Sequence, residues 1–305
     1  MFEKGAMLGL FTETPLHPGT GSTTGVVDLP VQRERHTGFP IIQASGLKGA
    51  MREVAEKKKM DDGTRILTEH EVNIIFGPED SDHAGSLAIT DARILAFPVR
   101  SLFEVYVWVT CPSVINRLKR DGDLLGMDAL KNLPEPKPEK GQALGILDHG
   151  LGNPLILEEI SFNLDTSQTA NVAKCIEAVV KFLPSKDAND VHTTVREKMK
   201  KHLVVIHDED FSHLVKTATQ ISARIVLSEK KTSKNLWYEE TLPPDCLFYT
   251  LLFVSKPKGG DGSIAEAEDV LQKLKGVIKD YIQIGGNETV GMGWCALQYQ
   301  DGGVK

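Results

Sequence analysis

A chain of 305 residues, 41% hydrophobic and 25% charged, has the composition of an ordinary globular protein and can bury a substantial core. No run approaches the ~18 consecutive apolar residues of a membrane span. Residues 1–11 also lack the regions of a signal peptide, so a cytoplasmic protein with no membrane partner is expected. The net charge of −7 counts against a stand-alone nucleic-acid binder. Between residues 31 and 59, however, seven Lys/Arg (33, 35, 48, 52, 57, 58, 59) stand against three Glu (34, 53, 56), so an acidic average can hide a basic face.

In chain order, residues 7–14 are apolar and end at Pro15, as a first strand does. Residues 15–40, rich in Gly, Thr and Pro, form a loop long enough to be functional rather than a mere connection. A helix is predicted over 45–59, with Leu47, Ala50, Met51, Val54 and Ala55 on one face. Strands are predicted over 87–95 and 102–110; in the second, Phe103, Val105, Val107 and Val109 alternate and Pro112 stops it. Residues 121–149 carry Pro134, Pro136 and Pro138 and read as an irregular insertion. Helices over 171–183 and 191–203 follow, then a projecting hairpin of strands 221–227 and 236–241 around a polar turn. Residues 246–254 are continuously apolar, as a central strand covered on both faces requires. Ser263 and Glu266 read as a capping box for a helix bearing Ala267, Val270, Leu271, Leu274, Val277, Ile278 and Tyr281. A glycine-rich loop (Gly285, Gly286, Gly291, Gly293) and a last strand over 294–299 close the chain. This order predicts an α+β fold, a ferredoxin-like β-α-β-β-α-β core with large insertions.

Helix 45–59 carries Lys48 in its first turn, where the dipole disfavours cations, and Arg52 one turn on. Free N–H groups, Gly46, Gly49 and a lysine make a phosphate site; a solvated lysine on an amphipathic helix is the plainer alternative. Gly291-Met292-Gly293-Trp294-Cys295-Ala296 matches G-x-G-x-x-A but follows a helix and enters a strand, the reverse of a dinucleotide fingerprint. What remains is a loop that lets backbone approach a ligand or partner closely, or an ordinary turn. The loop after the first strand holds His17, Asp28, Arg33, Glu34, Arg35 and His36. A carboxylate there could hold a divalent ion or take a proton from an attacking 2′-hydroxyl. An ordinary aspartate, with a pKa of about 3.9, is a poor base at neutral pH, so metal binding or positioning fits Asp28 better; a turn residue before Pro30 is the bland reading. Asp148-His149 and His207-Asp208-Glu209-Asp210 look like hydrolase fragments without supporting ligands, so a solvated polar cluster is the simpler account. The four cysteines are widely spaced, with no C-x-x-C pair, and read as isolated buried thiols.

Thr14-Pro15-Leu16-His17-Pro18-Gly19, Gly25-Val26-Val27-Asp28, Gln32-Arg33-Glu34-Arg35-His36-Thr37-Gly38-Phe39-Pro40, Ser45-Gly46-Leu47-Lys48-Gly49-Ala50-Met51-Arg52 and Phe76-Gly77-Pro78, with the C-terminal glycine loop, resemble the RAMP superfamily. Within it, the resemblance is closest to the family of the fourth Cmr subunit, the repeated backbone of type III-B CRISPR complexes. It implies one domain over 1–305: an RNA-recognition-motif-like palm (about 5–111 and 245–300), insertions (about 112–220) and a thumb hairpin (about 221–241). It implies copies stacked along a guide RNA (crRNA) with other Cmr subunits, and cleavage of target RNA at regular intervals with a divalent metal, magnesium or manganese. By position, the family's catalytic and metal-binding aspartate falls on Asp28, its T-P-x-H-P-G histidine on His17 and its guide-contacting lysine on Lys48. The thumb glutamate falls on Glu239, with the neighbouring Glu240 as the alternative, and Asp28, His17 and Glu239 are the catalytic candidates. Arg52, Arg33, Arg35, Gly285, Gly286, Gly291 and Gly293 join Lys48 as candidate RNA contacts. Two other readings stand beside this endoribonuclease: a guide-binding scaffold that does not cut, and a stand-alone, metal-independent processing nuclease.

Overall fold

The computed structural model describes residues 2–79, 83–146, 153–185, 190–258 and 264–305. Its first strand, β1 (Phe2–Thr12), is buried from Gly5 to its end, with a strand on each edge. Beyond the long loop come β2 (Ile41–Ile42), α1 (Ala44–Lys57) and α2 (Glu69–Phe76). In α1, Leu47, Met51 and Ala55 recur every fourth residue and face the core. Thr68 and Glu71 form the capping box that opens α2, and Arg52 of α1 ties the two helices through Asn73 and the Gly77 carbonyl.

The strand expected over 87–95 is two strands, β3 (Leu87–Ile89) and β4 (Ala92–Arg100). They part at Thr90 and Asp91, and the Asp91 carboxylate accepts the Ala44 N–H of α1 at 2.8 Å. The next strand, β5 (Tyr106–Thr110), is shorter than its alternation implies. Glu104 and Val105 adopt φ of 60° and 64°, because the chain must reverse tightly to pair Tyr106 with Arg100. Phe103 and Val105 therefore belong to the turn. Pro112 ends β5 and at once opens a helix, α3 (Pro112–Leu124), at a position where a missing N–H is no loss. With α4 (Asp128–Lys131) and β6 (Gln142–Leu144), it places short regular pieces in the stretch expected to be irregular, which has no helix or strand over residues 132–141.

Next come β7 (Leu155–Leu157), β8 (Ile160–Asp165), α5 (Thr169–Val180), α6 (Thr193–His202), β9 (Leu203–Ile206) and α7 (Asp208–Thr217). The expected hairpin is present as β10 (Gln220–Leu227) and β11 (Ser233–Thr241), a separate two-stranded sheet. The last elements are β12 (Leu247–Ser255), α8 (Ala267–Val277), β13 (Tyr281–Gln283) and β14 (Trp294–Gly302). Ser263 lies outside the described residues; α8 starts later than expected, with Glu266 and Asp269 forming its capping box, and it ends earlier, so that Ile278 caps it and Tyr281 opens β13.

The main sheet runs β13-β14-β1-β12-β4-β5-β9-β6-β8-β7, with β2 on β4 and β3 on β12. From β13 to β5 every pairing is antiparallel; β5–β9 and β6–β8 are parallel. Helix α8 packs on β1 and β12 and touches α1. The segment after α5 meets the sheet at Gly9, where a Cβ would overlap the Phe182 carbonyl. A buried ionic group pins α3 beneath: Asp121 accepts from Arg93 at 2.6 Å and from the Tyr249 hydroxyl at 2.8 Å. No helix among the described residues is long and apolar enough to cross a membrane. Gly9→Ala is expected to lower the thermal midpoint by roughly 5 °C, the effect of overpacking by about 2 kcal/mol. Gly46→Ala in α1, where a Cβ meets nothing within 4 Å, should raise it by a few degrees through helix propensity; thermal unfolding of the two variants checks the opposite signs.

Candidate functional site

Three separate pieces of chain meet beside β11. The first is the loop 13–40. Its Leu29 N–H donates to the Tyr238 carbonyl at 3.1 Å, and its Leu29 carbonyl accepts the Glu240 N–H at 3.0 Å. Leu29 thus makes a single parallel bridge to β11, on the edge opposite β10. This bridge brings Asp28 to the hairpin. Its Oδ2 accepts the Tyr238 N–H at 2.7 Å, which fixes the carboxylate and leaves Oδ1 without a protein donor among the described residues.

Neighbouring residues of a strand point to opposite faces, and this separates the two glutamates. Glu240 faces the loop: Oε2 accepts the Val31 N–H at 3.0 Å and Oε1 accepts from the Arg33 guanidinium at 2.6 Å. Arg33 also donates to the Gly38 and Val215 carbonyls. Glu239, only 3% exposed, turns the other way. It accepts from Arg224 Nε at 3.1 Å and from the Asn287 amide, with His17 Nδ1 at 3.7 Å. Of the two glutamates, Glu239 is the one that shares a cluster with His17.

His17 is 7% exposed. Its Nδ1 lies 2.6 Å from the Glu240 carbonyl oxygen, which can only accept, so Nδ1 carries a proton and donates it there. Nε2 abuts Gly19, where a Cβ would come within 2.7 Å.

The glycine-rich loop is the third piece, and its glycines serve different ends. Gly286 N–H donates to the His17 carbonyl at 3.1 Å and Gly293 N–H to the Pro15 carbonyl at 2.9 Å. Gly285 and Gly293 have φ of 80° and 82°, and a Cβ on either would overlap a carbonyl oxygen, of His17 and of Ile284 respectively. Close approach is thus what these two glycines provide, and the partner approached at Gly285 is the first loop. Gly291, with φ of 81°, faces open space and serves the turn. The Thr14–Gly19 motif and the glycine loop are two halves of one zipper.

The helix start differs from expectation. Asp91 already occupies the Ala44 N–H, so the donors there are not all free. Lys48 is half-buried and donates to the Leu87 carbonyl at 2.9 Å; burial, then the Arg52 charge, holds its ammonium below the usual lysine pKa. Arg52 is engaged by Glu56, Asn73 and Gly77, whereas Arg35 is exposed at the loop surface. Gly46 and Gly49 leave a bare helix face. The His207–Asp210 cluster is structural: His207 caps α7, Asp208 anchors Ser113, and Asp210 holds the Gly141 N–H. Asp148 and His149 lie outside the described residues.

No group of three or more His, Cys, Asp or Glu stands ready to hold a metal ion among the described residues. Asp28 offers one unengaged oxygen, and Glu239 is neutralised by Arg224, so these residues do not fit a metal ion by themselves. Arg224 and Asn287 are the cluster members the sequence reading missed. A lone arginine among Ile221, Ala223 and Ile225, and an asparagine beside two glycines, were the available signals.

A mixed sheet, a long first loop latched to a hairpin and a glycine loop facing that latch are features of one class: the chain belongs to the RAMP superfamily, which it matches over residues 10–296. It is 40% identical over 305 residues to the CRISPR system Cmr endoribonuclease Cmr4 of Pyrococcus furiosus, covering 98% of this chain and 96% of that one. The crystal structure of oligomeric Cmr4 from the same organism superposes with a TM-score of 0.72 at 32% identity, over 98% of this chain and 99% of that one. A type III-B Cmr-beta complex bound to cognate target RNA contains the same fold, with a TM-score of 0.69 at 20% identity, over 98% and 97% of the two chains.

Breaking the Arg33–Glu240 pair leaves a buried, uncompensated carboxylate. Arg33→Ala is expected to lose about 3 kcal/mol of stability, and adding Glu240→Gln should recover more than half of it. Denaturant midpoints of the single and double variants test this.

Proposed function

We propose that this chain is the repeated backbone subunit of a type III-B CRISPR ribonucleoprotein, binding guide RNA and cutting complementary target RNA at Asp28. The observation that carries the cutting site is the Asp28 carboxylate, held by the Tyr238 N–H with one oxygen left over. An identity of 40% to a Cmr endoribonuclease, over 98% of this chain, supports the same assignment. Partners are then guide and target RNA, further copies of the chain and other Cmr subunits.

In this reading β14-β1-β12-β4, with α1 and α8, is a ferredoxin-like palm, and the order of those four strands supports it. Hairpin β10–β11 is the thumb. The elements between residues 112 and 220 are insertions into a single domain. Guide RNA lies along the bare face of α1 at Gly46 and Gly49, near Lys48, with Arg35 as a further phosphate contact. Arg33 and Arg52 support the site from behind, since their guanidinium donors are engaged. Gly285, Gly286, Gly291 and Gly293 shape the wall beside the first loop.

Asp28 orients the reacting hydroxyl through its unengaged oxygen. His17 and Glu239, both buried, position the loops rather than touch RNA. A divalent ion, magnesium or manganese, would need its remaining ligands from water, RNA or a neighbouring copy.

In the reconstituted complex, Asp28→Ala is expected to slow target cleavage by at least ~100-fold while target binding stays within about threefold, and EDTA should act likewise. Full-rate cleavage by the variant would sink the catalytic assignment and favour a pure scaffold; full-rate cleavage in EDTA would remove the metal. Lys48→Glu should weaken binding of guides of any sequence alike, because phosphate contacts carry no sequence information. A sequence-selective loss in filter binding would contradict the placement.

A further inference from the structure

Resting on the reading that Asp28 marks the cut, we infer that Arg224 is a further catalytic residue: it binds the non-bridging oxygens of the scissile phosphodiester. Arg224 pairs with Trp237 across the hairpin, and Ser222 pairs with Glu239, so these four residues share one face. The opposite face carries Glu240 beside Ile221 and, further out, exposed Ile225, Leu236 and Tyr238. Arg224 therefore stands on the face of the hairpin that Glu239 turns toward His17 and Asn287.

Its guanidinium is only partly used. Nε donates to Glu239 at 3.1 Å and Nη2 touches the Met292 sulfur at 3.9 Å. No other protein acceptor is recorded for it among the described residues, and the side chain is 32% exposed. Buried Glu239, itself gripped by Asn287, orients the Nε edge and so turns the outer fork away from the core. Arg33, the other arginine of this patch, spends both Nη1 hydrogens on the Gly38 and Val215 carbonyls and an Nη2 hydrogen on Glu240.

The charge balance points the same way. Glu239 and Arg224 neutralise each other, Asp28 is an anion, and RNA brings another. A phosphate placed beside the unengaged oxygen of Asp28 needs a cation with open donors, and a planar arginine fork fits two phosphate oxygens. Leu29, the residue after Asp28, bridges to Glu239, so the aspartate and the Arg224–Glu239 pair are held on the same strand, β11.

In cleavage by the adjacent 2′-hydroxyl, the O2′–P bond forms as the P–O5′ bond breaks. O2′ gives up its proton and O5′ gains one, leaving a 2′,3′-cyclic phosphate and a 5′-hydroxyl. The non-bridging oxygens carry charge throughout, and Arg224 stabilises it.

The test uses the assembled complex and target RNA carrying a single Rp or Sp phosphorothioate at the scissile linkage. Arg224→Ala is expected to slow single-turnover cleavage at least ~100-fold with target binding within about threefold, and to shrink the penalty of one diastereomer by about tenfold. Arg224→Lys keeps the charge beside Glu239 but loses the fork, so it should fold, assemble and recover only part of the rate; it keeps the test open should the alanine variant fail to assemble. Cleavage within about threefold of wild type by Arg224→Ala, or a loss that leaves both thio effects unchanged, overturns the inference and makes Arg224 a structural partner of Glu239. Asp28→Ala, run in parallel, separates the two claims. Its full activity would bring down the cleavage site itself, while a null result confined to Arg224 leaves that site standing.

Discussion

The geometry of the site hangs on one buried carboxylate. Glu240 receives the Val31 N–H on one oxygen and the Arg33 guanidinium on the other, and so clasps a long surface loop to the hairpin. Without that clasp, an irregular stretch of Gly, Thr and Pro would lose more conformational entropy on ordering than its few apolar contacts return. With it, Leu29 bridges to β11, and Asp28 is delivered to the backbone N–H that holds it. Removing a carboxylate from water is costly, which is why both of its oxygens are filled.

The clasp works because its two halves rest on rigid supports. Thr241 and Leu242, at the end of β11, are buried; Leu242 exchanges two backbone hydrogen bonds with Leu16, and the chain then runs into β12. Strand β1, where the loop begins, lies between β12 and β14. The far end of the loop is tied to α3 by the bidentate pair of Glu34 and Arg117. Loop, hairpin and glycine turn are therefore all anchored on the sheet. That rigidity suits catalysis by positioning, in which a misplacement of about 1 Å can cost ~100-fold in rate.

Much of this was legible in the sequence where local rules act. The fourfold spacing of Leu47, Met51 and Ala55 marks α1, the continuous apolar run marks β12, and the two β-rich runs around residues 228–235 mark the hairpin. Boundaries failed where one residue has two uses: Pro112 ends a strand and starts a helix, and Asp91 breaks a strand to cap α1. The motifs of the first loop flagged Asp28 and His17, but not how they are held. Arg33 and Glu240 lie 207 residues apart, and no periodicity links them. Nor could spacing reveal that Gly285 is bare because the His17 carbonyl sits there. Arg224 escaped notice because an arginine in a short exposed strand looks like solvation until its partner is seen to be buried.

Hydrogen–deuterium exchange of residues 28–31 and 238–240 in the wild-type chain and in Arg33→Ala tests the central claim most directly. If the clasp orders the site, both segments are protected in the wild type and lose protection together in the variant, while β1 and β12 keep theirs. Retained protection of the loop segment in the variant, or loss spread evenly over the sheet, would contradict the account.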